Sequence, residues 1–262
     1  MNEKEKTISL EEFQARFRRR YILKKSINML ASSFIVFCGV TAILYSIYIE
    51  DSNFLDCLRF MTFDGSVYTI IISAVFTVTC VYEAVYETEN TSRLVYFMRL
   101  SSAVTEFVIF AVVIFGLSPL VPDQPDIVTY TGFMMHIMIP AVTILCFIFN
   151  DAPIGKVSKL EPLHGSWYIT IYAAITTFLF GFRILPPEKA PYSFLDFEHS
   201  SIFFSLSCLI GIYITAYLIA IVLIKANRKL SWIWFSDREK IRSNYRIHRS
   251  RKRRNRHSEV KK

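Results

Sequence analysis

The sequence predicts an all-α polytopic membrane protein: a bundle of six transmembrane helices with both termini cytoplasmic. Three observations predict it. Of 262 residues, 53% are hydrophobic, and the mean hydropathy is positive at +0.35. The apolar residues form long continuous runs, with the charges gathered in the tails and in short loops. Lys and Arg concentrate before the first run and after the last. About 20 apolar residues span the roughly 30 Å hydrocarbon core as a helix, so several such runs argue against an ordinary soluble domain. In lipid the backbone must satisfy its own hydrogen bonds, which makes each run helical. A β-barrel does not fit, because barrel strands alternate in hydropathy and these segments do not.

The spans are expected at about residues 26–49, 61–82, 100–120, 130–149, 166–185 and 200–224. They divide the chain into a basic cytoplasmic N-terminal segment (1–25), a transmembrane domain (26–225) and a basic cytoplasmic tail (226–262). The first 25 residues are charged and the first apolar run is too long for a signal h-region, so the first helix is expected to remain as an anchor.

Orientation follows from cations near the span ends. Arg16, Arg18, Arg19, Arg20, Lys24 and Lys25 precede the first span; Lys225, Arg228 and Lys229 follow the sixth. The loop 118–129 has three prolines, two aspartates and no Lys or Arg, which suits the outer side. The loop 150–165 carries Lys156 and Lys159 and suits the cytoplasm. The loop after span two is mixed, with Glu83, Glu87, Glu89, Arg93 and Arg99. Trp232 and Trp234 read as interface anchors. The Arg249–Arg256 cluster reads either as a topogenic, solvated tail or as a contact for anionic lipid. The pI near 9.2 comes mostly from the tails, so membrane lipids are the expected partners and no nucleic acid is expected. All five cysteines except Cys57 fall in apolar runs, so no disulfide framework is indicated. A cell-membrane location is expected.

Polar groups inside spans are costly and are functional candidates. The entry to span two, Leu58-Arg-Phe-Met-Thr-Phe-Asp-Gly-Ser66, places Arg59, Thr62 and Asp64 near the outer boundary. Thr62, Ser66, Thr69, Ser73 and Thr77 then fall at steps of three or four, one stripe on a helix face. Such a stripe ordinarily serves helix packing, since small residues let backbones approach. Thr62 differs, standing at the outer end beside two charges. His136 lies in Phe133-Met-Met-His-Ile-Met-Ile-Pro140, where Pro140 weakens the helix and frees a carbonyl. It reads either as a general base, since a neutral histidine is available near pH 7, or as a buried residue bonded to a neighbouring helix. Glu106, in Ser101-Ser-Ala-Val-Thr-Glu106, is the carboxylate well inside a span. It could carry protons, pair with a cation or be protonated and structural. Arg183 ends span five ahead of Pro186-Pro187. It reads as a snorkelling residue or as a partner for Asp64. No Gly-rich phosphate loop, H-E-x-x-H or G-x-S-x-G occurs, no cofactor is called for, and the scattered histidines define no metal site.

At Arg59-Phe-Met-Thr-Phe-Asp64 and His136-Ile-Met-Ile-Pro140 the sequence resembles the androgen-induced protein family of six-helix membrane proteins. Arg99-Leu-Ser-Ser-Ala-Val-Thr-Glu106, Asn150-Asp-Ala-Pro-Ile-Gly155 and Ala190-Pro-Tyr-Ser-Phe-Leu-Asp196 resemble its bacterial branch. The resemblance covers about residues 25–225. It implies a threonine hydrolase acting on fatty acid esters of hydroxy fatty acids, with Thr62 as nucleophile and His136 as base. A threonine hydroxyl is a weak nucleophile that needs such a base, and His136 would accept its proton as it attacks an ester carbonyl. Asp64, Arg59, Ser66 and Glu106 are supporting candidates. In this chain Asp64-Gly65 follows Thr62-Phe63 directly, a departure from the animal members. Two other classes stay open: a transporter or channel built on Glu106 and His136, and a non-enzymatic lipid-binding protein.

Overall fold

The computed structural model describes residues 10–86, 92–117, 129–151 and 160–259, with the backbone alone at 10–18, 20–21, 115–117, 150, 193 and beyond Leu230. Helices account for nearly all of it, and no strand occurs among the described residues. They are α1 (Leu10–Tyr48), a short α2 (Phe54–Cys57), α3 (Met61–Tyr86), α4 (Arg93–Ala111), α5 (Tyr130–Phe133), α6 (Ile139–Asn150), α7 (Glu161–Gly181) and α8 (Ile202–Glu259). A π-helical stretch, Val112–Leu117, continues α4, and another, Met134–Met138, joins α5 to α6. The second has a visible cause. Pro140 has no N–H to give the carbonyl of His136, and the helix widens so that Ile139 N–H bonds the Met134 carbonyl, five residues back. Such bulges are frequent at functional sites.

Five segments are long and apolar enough to cross a membrane: Ile22–Tyr48, Met61–Tyr86, Arg93–Ile114, Tyr130–Phe149 and Ile202–Leu230. This is the architecture of a multi-pass membrane protein. α7 has 21 residues, about 32 Å of helix at 1.5 Å per residue. Tyr, Trp, Thr and His side chains keep it outside the five. Both terminal helices run past the expected spans, α1 from Leu10 and α8 to Glu259, so the flanking basic segments continue the helices. The expected loop 118–129 lies outside the described residues up to 128, as do Lys156, Lys159 and the side chains of Trp232, Trp234 and Arg249–Arg256.

α4 is the axis of the bundle. Sixty-one per cent of its apolar window is buried, against 28–39% for the other four. It packs against α3, α6, α7 and α8; α1 joins α3 to α6, and α8 joins α6 to α7 around it. Leu100, Ala103 and Val104 on α4 are wholly buried with Phe147, Ala216 and Ala220 from the surrounding helices. Outward faces are apolar: Phe37, Val78 and Phe203 are 66%, 69% and 79% exposed. Contiguous exposed apolar surface on this scale suits lipid rather than water.

Two glycines set helix separations. A Cβ on Gly165 would lie 2.7 Å from Ala220 Cβ and 3.2 Å from Val104 Cγ2, and one on Gly65 would lie 2.9 Å from Thr105 Cγ2. Gly165→Ala is expected to destabilise by about 1–3 kcal/mol through overpacking, read as a lower unfolding midpoint in detergent. A retained midpoint would mean that α7 and α8 separate freely.

Arg183 corrects one expectation. It does not pair with Asp64, whose carboxylate is bonded by Tyr168. Instead it is exposed and left-handed (φ 56°), with Arg183 N–H bonding Phe180 O and Ile184 N–H bonding Leu179 O. That is a Schellman termination of α7, at the position glycine usually takes.

Residues 182–201 return the chain to α8. Within them His199 Nδ1 lies 2.8 Å from Asp196 Oδ2. That bond, with the carboxylate's charge, raises the imidazole above its ordinary pKa. Because the folded value is raised, the contribution is fully present below the ordinary histidine value and is lost as pH rises through the folded one. The His199 NMR titration midpoint should therefore fall back in Asp196→Asn; an unchanged midpoint would remove the ion pair from the account.

Candidate functional site

The start of α3 is fixed from several sides. Tyr172 Oη on α7 donates to the Arg59 carbonyl at 2.5 Å, and Met61 N–H donates to Tyr192 Oη at 3.2 Å. The Arg59 guanidinium donates to the Lys189 carbonyl at 2.6 Å and pairs with Asp56 at 3.3 Å. One turn deeper, Tyr168 Oη donates to Asp64 Oδ2 at 2.7 Å, and its ring stacks on Tyr68 at 4.0 Å between centroids. Trp167 Nε1 completes this layer by donating to Tyr68 Oη at 3.2 Å. Arg59 and Asp64 thus hold the first turn of α3 and the returning segment in place. Thr62 sits in that turn, partly buried.

The π-helical turn carrying His136 reaches the same end of the bundle. Phe63 and Met135 lie in one buried cluster with Ala42 of α1, and Met134 and Val67 pack against it. Thr62 and His136 are the chain neighbours of Phe63 and Met135, and both are partly buried. The structure therefore brings together the two elements that carry them. Tyr130 ties this end to α1 through a 2.9 Å hydroxyl contact with Thr41.

Below this level the interior between α3 and α4 is polar. Ser66, Thr69, Ser73, Ser101, Ser102, Thr105 and Glu106 are all fully buried. Ser102 Oγ donates to Thr69 Oγ1 at 3.0 Å. Ser66 Oγ, Thr105 Oγ1 and both Glu106 carboxyl oxygens are buried without a hydrogen-bond partner. The predicted stripe is real down to Ser73, then passes to Phe76, Cys80 and Glu83, while Thr77 is partly buried and turns its hydroxyl to the Ser73 carbonyl.

At the far end, three ion pairs each join two helices: Lys25 to Glu83 (α1–α3), Arg99 to Asp151 (α4 to the end of α6) and Arg228 to Glu161 (α8–α7). Arg99 and Asp151 are 1% and 4% exposed, their Nε to Oδ2 distance is 3.0 Å, and the guanidinium lies 4.5 Å from the Phe76 ring centroid. Asn227 bonds the carbonyls of Phe147 and Asp151 at 2.6 and 2.7 Å. Sequence reasoning missed this layer by assigning Glu83 and Arg99 to a mixed loop. The spacing Arg99, Ser102, Glu106 already placed them on one helix face. It also missed Tyr168, Tyr172 and Tyr192, whose roles depend on long-range contacts.

All five cysteines are free thiols, and no cluster of His, Cys, Asp or Glu able to hold a metal occurs among the described residues. A groove of about 420 Å³ between α7 and the start of α8 is lined by Thr177, Phe178, Gly181, Phe182, Phe197 and Ile202, and by none of the nominated residues. The class the fold defines is an all-helical, multi-pass membrane protein with a clamped polar site at one bundle end and an ion-paired layer at the other. Comparison with protein-family models, curated proteins and solved structures finds no match.

Proposed function

We propose that the chain is a six-span membrane lipid-ester hydrolase with Thr62 as nucleophile and His136 as base. The supporting observation is the contact between the clamped first turn of α3 and the π-helical turn carrying His136, through Phe63 and Met135. Preorganisation of this kind is what a weak nucleophile needs. His136 takes the Thr62 proton as Oγ1 attacks the ester carbonyl. Collapse of the tetrahedral adduct expels the alcohol, which receives that proton, and leaves an acyl-threonine. Water then gives a proton to His136, attacks the acyl carbon and releases the fatty acid, and Thr62 regains its hydrogen. Asp64 and Arg59 act as positioning residues through Tyr168 and the Lys189 carbonyl.

In this reading α7 is the sixth crossing and both termini are cytoplasmic, with the basic flanks at the ion-paired end and the site toward the outer leaflet. The host is the cell membrane, and the basic tail contacts anionic lipid. The test is turnover of long-chain esters by the purified protein, comparing wild type with Thr62→Ala and Thr62→Ser. Turnover in wild type and Thr62→Ser, lost in Thr62→Ala, is expected. Equal rates in wild type and Thr62→Ala would remove Thr62 as nucleophile.

A further inference from the structure

We infer that Ser66, Thr69, Ser102 and Glu106 form a binding site for a small monovalent cation in the middle of the bundle. The site does not depend on the hydrolase reading. The Ser102–Thr69 bond fixes the register of the antiparallel pair α3 and α4. One turn from Thr69 toward the start of α3 stands Ser66, and one turn from Ser102 along α4 stands Glu106. Residues three or four apart share a helix face, so the four side chains stand in two successive layers, Thr69 with Ser102 and Ser66 with Glu106, and Thr69 also reaches Glu106. All four are fully buried.

Charge and valence both point to an occupant. The buried acids Glu83, Asp151 and Glu161 each have a Lys or Arg partner. Glu106 has no Lys, Arg or His nitrogen within 4.0 Å among the described residues, and apart from the approach of the Thr69 hydroxyl its two oxygens lack a hydrogen-bond partner. An unpaired carboxylate in lipid is strongly disfavoured. Protonation would also remove the charge, the neutral acid then donating one hydrogen bond and accepting another from a neighbouring hydroxyl, but that state would not respond to Na⁺. A hard monovalent cation is satisfied by oxygen ligands of this kind. It would draw on the carboxylate and the three hydroxyls and leave the site neutral.

The test uses the full chain in detergent, with NaCl against choline chloride at equal ionic strength. Na⁺ affinity is read by calorimetry and by the unfolding midpoint. The wild-type midpoint should rise with NaCl and not with choline chloride. Glu106→Gln should lose that rise, and Thr69→Ala and Ser66→Ala should each weaken Na⁺ binding by roughly tenfold or more, the loss of one bond to a charged group. If Glu106→Gln does not fold, the two hydroxyl variants carry the comparison. Equal midpoints in both salts overturn the site, as does a Na⁺ response unchanged in all three variants. A midpoint that follows pH but not Na⁺ also overturns it, and makes Glu106 a buried protonated acid.

Discussion

Replacing His136 by Ala is expected to lower lipid-ester turnover about 10²–10⁴-fold, the contribution of a positioned general base. The same change should leave the fold intact. His136 is partly buried in a π-helical turn whose neighbours Met135 and Ile139 carry the packing at 3% and 1% exposure. The loss should appear in kcat, with KM little changed, because the base acts on the reacting proton rather than on the lipid chains. Combining His136→Ala with Thr62→Ala should cost little more than either alone, since groups that act as one unit are not additive. A turnover loss that merely follows a lower unfolding midpoint would point instead to a packing histidine.

The second large effect concerns the ion-paired layer. Asp151→Leu leaves the Arg99 guanidinium buried over the Phe76 face without its carboxylate, and breaking one side of a buried pair costs about 3–5 kcal/mol. The double variant Arg99→Met, Asp151→Leu removes both charges and should recover most of that loss, because well-packed apolar replacements of buried pairs are often neutral or better. Unfolding midpoints of the two single variants and the double variant make a double-mutant cycle. A double variant as unstable as the sum of the singles would show that the layer is held by other contacts, such as the Asn227 bonds to the Phe147 and Asp151 carbonyls.

The membrane helices are legible in the sequence because hydropathy over about 20 residues is a strong local signal. Ser166–Leu185 reads as a span in the sequence; α7 forms there as a helix, but its polar side chains keep it outside the five segments apolar enough to cross a membrane. The α3 stripe was legible because its period is set by the helix. Less legible were the partners of each polar group. Asp64 pairs with Tyr168 rather than Arg183, and only the packing of α3 against α7, 104 residues apart in sequence at this bond, decides that. Likewise, Lys25 and Arg99 read as flanking cations but are buried at 8% and 1% exposure against acids on other helices. The widening at Met134–Met138 was half legible: Pro140 predicts a weakened helix, and the five-residue bond from Ile139 N–H to the Met134 carbonyl that makes it a π turn is visible only in the structure.

The most direct measurement is to treat the purified protein in detergent with an alkyl fluorophosphonate and locate the adduct by peptide mass spectrometry. The account predicts a single adduct on Thr62, absent from Thr62→Ala and strongly reduced in His136→Ala. Folded protein that takes no label, or takes it on a residue other than Thr62, would contradict it.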